Sequence, residues 1–279
     1  MSSRGTHGNA ASFQSGGVLL IATMQQKDFS APMDNHSGYS VPTALNARAQ
    51  AASSKTLADK AFLLLKADII DCILSPGELL STQQLMTHTG LGLSAIRAAM
   101  ERLVAGNWVT SAPNKGYRID GITVKDVIEL YDLSEAISPR LARMSCGRIA
   151  EVYGRLIELS ETAFPAHAPQ NEEDEHRVLL ASGEILRTIR LASNNSYAIS
   201  LTQQVTERLD RVVAARRHYS QTPIDFRRDF RPLIEALQAN QADAAEAASL
   251  ANVHRMRSIV IDHILRVESF ASSHILART

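Results

Sequence analysis

The stretch from Pro76 to Ile119, PGELLSTQQLMTHTGLGLSAIRAAMERLVAGNWVTSAPNKGYRI, restricts the possible fold more than any other part of the chain. Ser81 with Gln84 three residues later is a capping-box signature, which predicts a helix from Thr82 to about His88. Gly90 supplies the positive φ of a tight helix–helix turn, and Gly92 is the expected N-cap of a second helix starting near Leu93. In that helix Ile96, Met100 and Leu103 fall at i, i+4 and i+7, with Ala99 widening the apolar stripe. Ser94, Arg97, Ala98 and Glu101 are left on the other face. After Gly106, Asn107-Trp108-Val109-Thr110 suits a strand, Pro113 to Gly116 a turn, and Tyr117-Arg118-Ile119 the returning strand. Two short helices, a glycine turn and a hairpin make a winged helix-turn-helix, which presents its second helix to the DNA major groove. Ser94 and Arg97 lie near the leading end of that helix, and Lys115 at the wing tip, where a cation reaches a phosphate.

Charge neither supports nor excludes this reading. From Thr56 to Ile119 the cations are Lys60, Lys66, Arg97, Arg102, Lys115 and Arg118, against Asp59, Asp68, Asp71, Glu78 and Glu101, a balance of six to five. The whole chain carries zero formal net charge, so general adhesion to polyanions is not implied. Its 279 residues suffice for two domains, and 45% hydrophobic with 21% charged residues is ordinary for a globular protein. No apolar run approaches the roughly 18 to 20 residues of a membrane span, and Gly17 to Ala22 is too short for a secretory core. Cys72 and Cys146 show no metal-type spacing; both are expected in helices, as small buried residues in a reducing cytosol. Residues 1–54, rich in Ser, Gly, Asn, Gln and Ala, are expected to be a mostly disordered tail, with Met24 and Met33 as alternative starts.

The expected domains are the tail 1–54, a winged domain 55–120, a helical domain 121–270 and a short tail 271–279. From Thr123 onward strand signals fade, and helices are expected at 123–145, 147–163, 172–191, 196–217, 224–239 and 241–269. Breaks fall at Pro165 and Pro169, at Ser193-Asn194-Asn195, at Gln221-Thr222-Pro223 and at Asn240 to Asp243. The fold class is therefore mainly α: an N-terminal winged helix-turn-helix plus a C-terminal antiparallel all-helical bundle. The acidic run Asn171 to Glu175 reads as a helix start, Arg216 to His218 and Arg227-Arg228 as solvated helix-end charges, and His218 and His263 as surface residues.

These segments together resemble the GntR superfamily of transcriptional regulators, in the branch with the FCD (fatty-acid-regulator-like C-terminal) domain. The resemblance rests on PGELLS, on G-x-G-x-S-x-I-R-x-A-M, and on L-x-x-x-G-x-V closing with N-K-G-Y. ITVKDVIELYDL resembles the linker and first effector helix, and ILRTIRLASNNSYA and FRPLIEALQANQADAAEAASLANVH resemble later stretches. It covers about residues 57 to 268 and implies a DNA-binding regulator with an effector domain.

The chain also departs from that pattern. Gln83 stands where the family has a basic residue, and Gly92-Leu93 where it has Ser-Arg, while Arg97, Lys115 and Gly116 keep the contacting arginine and the wing. Two lost cations flatten the expected salt dependence; Gln83 is left to hydrogen-bond phosphate or base, and Leu93 either to meet a thymine methyl or to seal the helix turn. The family's metal ligands, an Asp and a His one turn apart and two later His, fall on Ser182, Leu186, Phe230 and His254. One ligand in four does not hold a metal, so neither metal nor other cofactor is expected. Asp229, Glu184 and His176 lie nearby in sequence, but Asp229 points about 100° away from Phe230 on a helix. Leu186 and Phe230 make the site apolar, either a pocket for a hydrophobic effector or closed core. The family's flanking Arg and Glu are replaced by Ser134 and Ser138, which does not favour a small carboxylate there. His254 reads more readily as a half-buried histidine hydrogen-bonded to a neighbour than as a ligand.

The resulting expectation is a cytoplasmic, homodimeric, DNA-binding regulator of the repressor type, with a palindromic operator duplex and an unidentified small-molecule effector as partners. The rival is a helical ligand-binding or interaction protein whose DNA-reading domain is degenerate. An enzyme is disfavoured: no Ser-His-Asp order, paired carboxylates or phosphate-cradling glycine loop stands out.

Overall fold

The computed structural model describes residues 44–215 and 223–266. The expected tail 271–279, most of the expected tail 1–54, and the Arg216 to His218 run lie outside the described residues. Helices α1 (Ala44–Ala52) and α2 (Leu57–Ile70) lead into strand β1 (Leu79–Leu80), then α3 (Thr82–Thr89), α4 (Leu93–Ala105), β2 (Val109–Ala112) and β3 (Gly116–Ile119). The helical part consists of α5 (Val124–Ser145), a 3-10 turn at Ala150–Val152, α6 (Tyr153–Ala163), α7 (Glu172–Ala192), α8 (Ser196–Ala215), α9 (Arg231–Gln238) and α10 (Ala242–Arg266).

The winged domain folds around the stripe on α4. Ile96, Ala99, Met100 and Leu103 are buried, joined by Ala95, and pack on Leu65, Ile69, Leu85, Trp108 and Ile119. Each fully buried Ile or Leu contributes about 1.5–3 kcal/mol, enough for this patch to hold three short helices. The sheet has the antiparallel order β1-β3-β2, with Leu80 opposite Tyr117 and Val109 opposite Ile119. The hairpin is shifted from the expected one. Asn107 takes a left-handed φ of 53° and Trp108 turns inward, so the strand starts at Val109.

Helix α1 falls inside the stretch expected to be tail. It buries Ala47 and Ala51, Ala47 packing against Ala67, and is pinned by Arg48, which donates to Asp68 and to Asp71 at 2.9 Å. Asp68 also meets His88 Nε2 at 2.7 Å, tying α1 and α2 to the end of α3.

The bundle has its own core of Ala142, Leu156, Ile185, Ile189, Phe230, Leu233 and Leu237. The helix expected at 224–239 begins only at Arg231, with Pro232 in its first turn. Residues 224–230 are irregular because their polar groups are engaged elsewhere. The Arg228 amide donates to Ala163 O, and Arg227 grips Asp225 and the carbonyl oxygens of Pro165 and Ala166. Arg227 and Arg228 are thus not solvated helix-end charges; Arg228 is buried. Nor is Glu175 a surface acid: it is buried, and its Oε2 accepts from the Ile224 amide at 2.7 Å. Neither cysteine sits within a helix. Cys72 is buried in the turn after α2 with φ 57°, and Cys146, half-buried, caps α5.

The winged domain and bundle are joined by α8. Glu207, buried, pairs with Lys66 at 2.6 Å, Arg208 donates to Gly106 O at 2.7 Å and lies over the Trp108 ring, and Arg211 donates to Asp120 O. Lys66→Met leaves Glu207 buried with, among the described residues, only Gln203 to bond it. This is expected to cost about 3 kcal/mol, or roughly 6–12 °C in melting temperature. The double change Lys66→Met/Glu207→Met should recover most of it, and equal melting of Lys66→Met and wild type would contradict this role.

Candidate nucleic-acid interface

Helix α4, the second of the motif, is presented by a short, fully specified turn. At the start of α3, Ser81 Oγ accepts from the Gln84 amide and Gln84 Oε1 accepts from the Ser81 amide at 2.8 Å, completing the capping box. Gly90 ends that helix at φ 68°, in the left-handed region. Gly92 then caps α4 in extended geometry without a side-chain hydrogen bond, so the first amides of α4 are not covered by a cap side chain.

On α4, Leu93, Ser94 and Arg97 are exposed while Ala95 and Ile96 are buried, so one helix separates a core face from a solvent face. Leu93 retains 42% of its surface, enough for an apolar contact from outside. Gln83 is exposed on α3, and Lys115 is exposed at the tip of the wing. The Lys115 amide bonds Ala112 O at 2.9 Å and Asn114 takes φ 61°, which closes the tip. Gly116, at φ 109°, lies where a β-carbon would stand 2.2 Å from Leu80 O, so its role is to let β1 and β3 approach.

The cations are not equivalent, which the six-to-five balance conceals. Arg102 pairs with Asp59 at 2.8 Å, and hydrogen bonds from Thr56 and then Arg102 hold the Asp59 carboxyl below its usual range. Arg118 donates to Gly77 O at 2.9 Å, and Lys66 is spent on Glu207. Arg97 and Lys115 form no ion pair among the described residues and face solvent. That face combines two uncommitted cations, a hydroxyl, an amide side chain and one apolar contact, a set suited to phosphates and base edges.

The expected effector residues differ in their exposure. Ser182 and Phe230 are wholly buried and Leu186 is half-buried, the latter two within the bundle core. Ser182 Oγ is buried without a hydrogen-bond partner. Ser134 is half-buried, its Oγ 3.3 Å from Ser138 Oγ. His254, by contrast, is 55% exposed, its Nε2 3.7 Å from a Glu135 carboxylate oxygen that is shared with no other residue of the set. Glu184 is engaged by Arg187 and Asp229 by the Arg231 amide. Among the described residues, no three His, Cys, Asp or Glu side chains group as a metal site.

Sequence reasoning missed a buried polar group in the bundle: Tyr131, Arg190 and Arg228 are each less than a tenth exposed. Asp210 accompanies them, its carboxyl pushed up to about 7 by burial, against the attraction of Arg190 and Arg228. Burial likewise lowers Arg228, to about 10. No local motif marks them, because four separate segments contribute them.

This geometry defines a winged helix-turn-helix domain of the DNA-binding kind. Residues 57–119 match the family model described as bacterial regulatory proteins, gntR family. The chain is 30% identical over 84 residues to the HTH-type transcriptional repressor GlaR of Escherichia coli K12. It is 25% identical over 156 residues to the uncharacterized HTH-type transcriptional regulator BphR of Paraburkholderia xenovorans LB400. The matches cover 30% and 51% of this chain, and span 38% and 64% of those relatives. Among solved structures, E. coli McbR/YncC superimposes with a TM-score of 0.63 at 17% identity, over 75% of this chain and 99% of that one. A GntR transcriptional regulator from Rhodococcus sp. RHA1 gives 0.54 at 17%, over 74% and 97%. These last two show a shared fold that extends beyond the winged domain. No helix among the described residues is long and apolar enough to cross a membrane.

Proposed function

We propose that the protein is a cytoplasmic, homodimeric transcriptional regulator of the FCD type that represses by binding a palindromic operator. The observation that carries this reading is the pair of uncommitted cations, Arg97 and Lys115, on the exposed face of a GntR-type domain. Arg97 and Lys115 grip phosphate or guanine, Ser94 and Gln83 add hydrogen bonds, and Leu93 meets a thymine methyl. Gly116 holds the wing in place. Two-fold symmetry doubles the contact surface that one small domain offers. The helical domain takes a small effector near Ser182, Leu186, Phe230, Ser134 and His254, with no metal or other cofactor, and the protein catalyses no reaction.

The test is a gel shift with the purified full chain on the duplex upstream of its own gene, across a salt series. A discrete complex at low salt is expected, with affinity falling steeply as salt rises. No complex from a folded dimer would instead favour a helical ligand-binding or interaction protein with a degenerate DNA-reading domain.

A further inference from the structure

We propose that helix α1 is a positioning arm of the helix-turn-helix, acting on its turn through a relay of three side chains, Arg48, Asp68 and His88. The family match covers residues 57–119, so α1, which ends at Ala52, lies outside the matched segment. The consequence for DNA rests on the DNA-reading assignment above; the relay itself does not.

Helix α3 needs a second point of support. It has eight residues, Thr82–Thr89, of which Leu85 is buried and Met86 partly buried, so its apolar grip is close to a single pivot. His88, in its last turn, supplies another fixed point, with Nε2 2.7 Å from Asp68 Oδ2. Just beyond it Gly90, at φ 68°, begins the turn into α4. The angle at which α4 leaves is therefore set in part by where Asp68 holds His88.

Asp68 is poorly placed to do this unaided. It is 8% exposed and lies in the last turn of α2, the negative end, where the helix dipole opposes a carboxylate. Asp71 caps the same helix, whose last turn contains no cation. Arg48 brings the missing charge from α1: Nη2 donates to Asp68 Oδ1 at 2.5 Å and Nη1 to Asp71 Oδ2 at 2.9 Å. The two oxygens of Asp68 are thus divided between α1 and α3. A carboxylate fixed by a guanidinium on one oxygen presents the other to His88 in one orientation. Helix α1 depends on the same bonds. It buries the methyl groups of Ala47 and Ala51, and nine residues are too few for a helix to persist undocked. Whatever detaches α1 therefore also releases the turn.

The experiment is amide hydrogen exchange on the full chain without DNA, so that failure of DNA reading leaves the measurement untouched. Two amides report on the turn: Gly90, bonded to Met86 O at 2.9 Å, and Leu91, bonded to Thr89 Oγ1 at 3.3 Å. The control is the Gly147 amide in the bundle, bonded to Leu237 O at 2.9 Å. Arg48→Met should speed exchange at the turn about tenfold and leave the control unaltered, although the described bonds of Arg48 are to Asp68 and Asp71. Asp68→Asn removes the buried charge together with the relay, so it should fold even if Arg48→Met does not, and should speed exchange in both the turn and α1. In the Asp68→Asn background, Arg48→Met should add nothing at the turn. On labelled operator, Arg48→Met should bind about 3–10-fold more weakly than wild type. A wild type that binds no duplex counts against the DNA-reading assignment, and the exchange data still decide the relay. Turn amides unaltered in either variant, or a Gly147 amide accelerated equally, overturn the proposal. So does a further turn effect of Arg48→Met in the Asp68→Asn background, or unaltered operator affinity in Arg48→Met when wild type binds.

Discussion

Gly116→Ala is expected to lower the melting temperature by roughly 6–12 °C or more, the largest effect of any single methyl group in the winged domain. The backbone there has φ 109°, where a side chain costs about 1–3 kcal/mol in strain. The added carbon would also stand 2.2 Å from Leu80 O and 2.8 Å from Ser81 Cα. Both are backbone atoms, so β1 must separate from β3, and Ser81 also caps α3. Overpacking of this kind costs about 1–3 kcal/mol more. Two other glycines set the scale. At Gly90, φ 68° but with open space around the added carbon, Ala should cost about 1 kcal/mol. At Gly121, with neither restriction, it should be within about 0.5 kcal/mol of neutral. Thermal melts of the three variants check the order; a Gly116→Ala protein as stable as Gly121→Ala would refute the close approach of wing and β1.

Arg97→Ala is expected to weaken operator binding by about 5–150-fold, the equivalent of 1–3 kcal/mol, while leaving the melting temperature unchanged. The side chain is exposed and makes no ion pair among the described residues, so its loss removes no folded-state contact of consequence. Titrating labelled operator at several salt concentrations also identifies the contact. A phosphate contact lowers the slope of log affinity against log salt by about one unit. A guanine contact relaxes sequence preference at one base pair instead. Unaltered affinity and preference would remove Arg97, and with it the proposed orientation of α4 on DNA.

The parts of the fold that the sequence announced are those fixed by local chemistry. Ser81 with Gln84, Gly90 and Gly92 placed both helices of the motif, since capping and positive φ depend on neighbours within a few residues. Helix α1 was illegible because Ala47 and Ala51, which it buries, are too small to mark a period, and its anchor is Arg48 reaching Asp68 and Asp71 some twenty residues away. Strand β1 has two residues and exists only through β3. Segment 224–230 was misread for the opposite reason. Phe226 and Phe230 extend the helical stripe of Leu233 and Leu237 backward at i, i+4, i+7 and i+11, while the carbonyl oxygens that engage Arg227 and the Arg228 amide lie about sixty residues upstream. At the candidate interface, the residue types were legible but not which cations were already committed: only the folded chain separates Arg97 and Lys115 from Arg102, Arg118 and Lys66.

The joint formed by α8 has a mechanical consequence. Oily surfaces slide past one another by fractions of an ångström, but Arg208 on Gly106 O and Arg211 on Asp120 O are directional bonds that fail when the angle is lost. A joint of this sort is expected to act as a detent, holding the winged domain at one tilt until both bonds break.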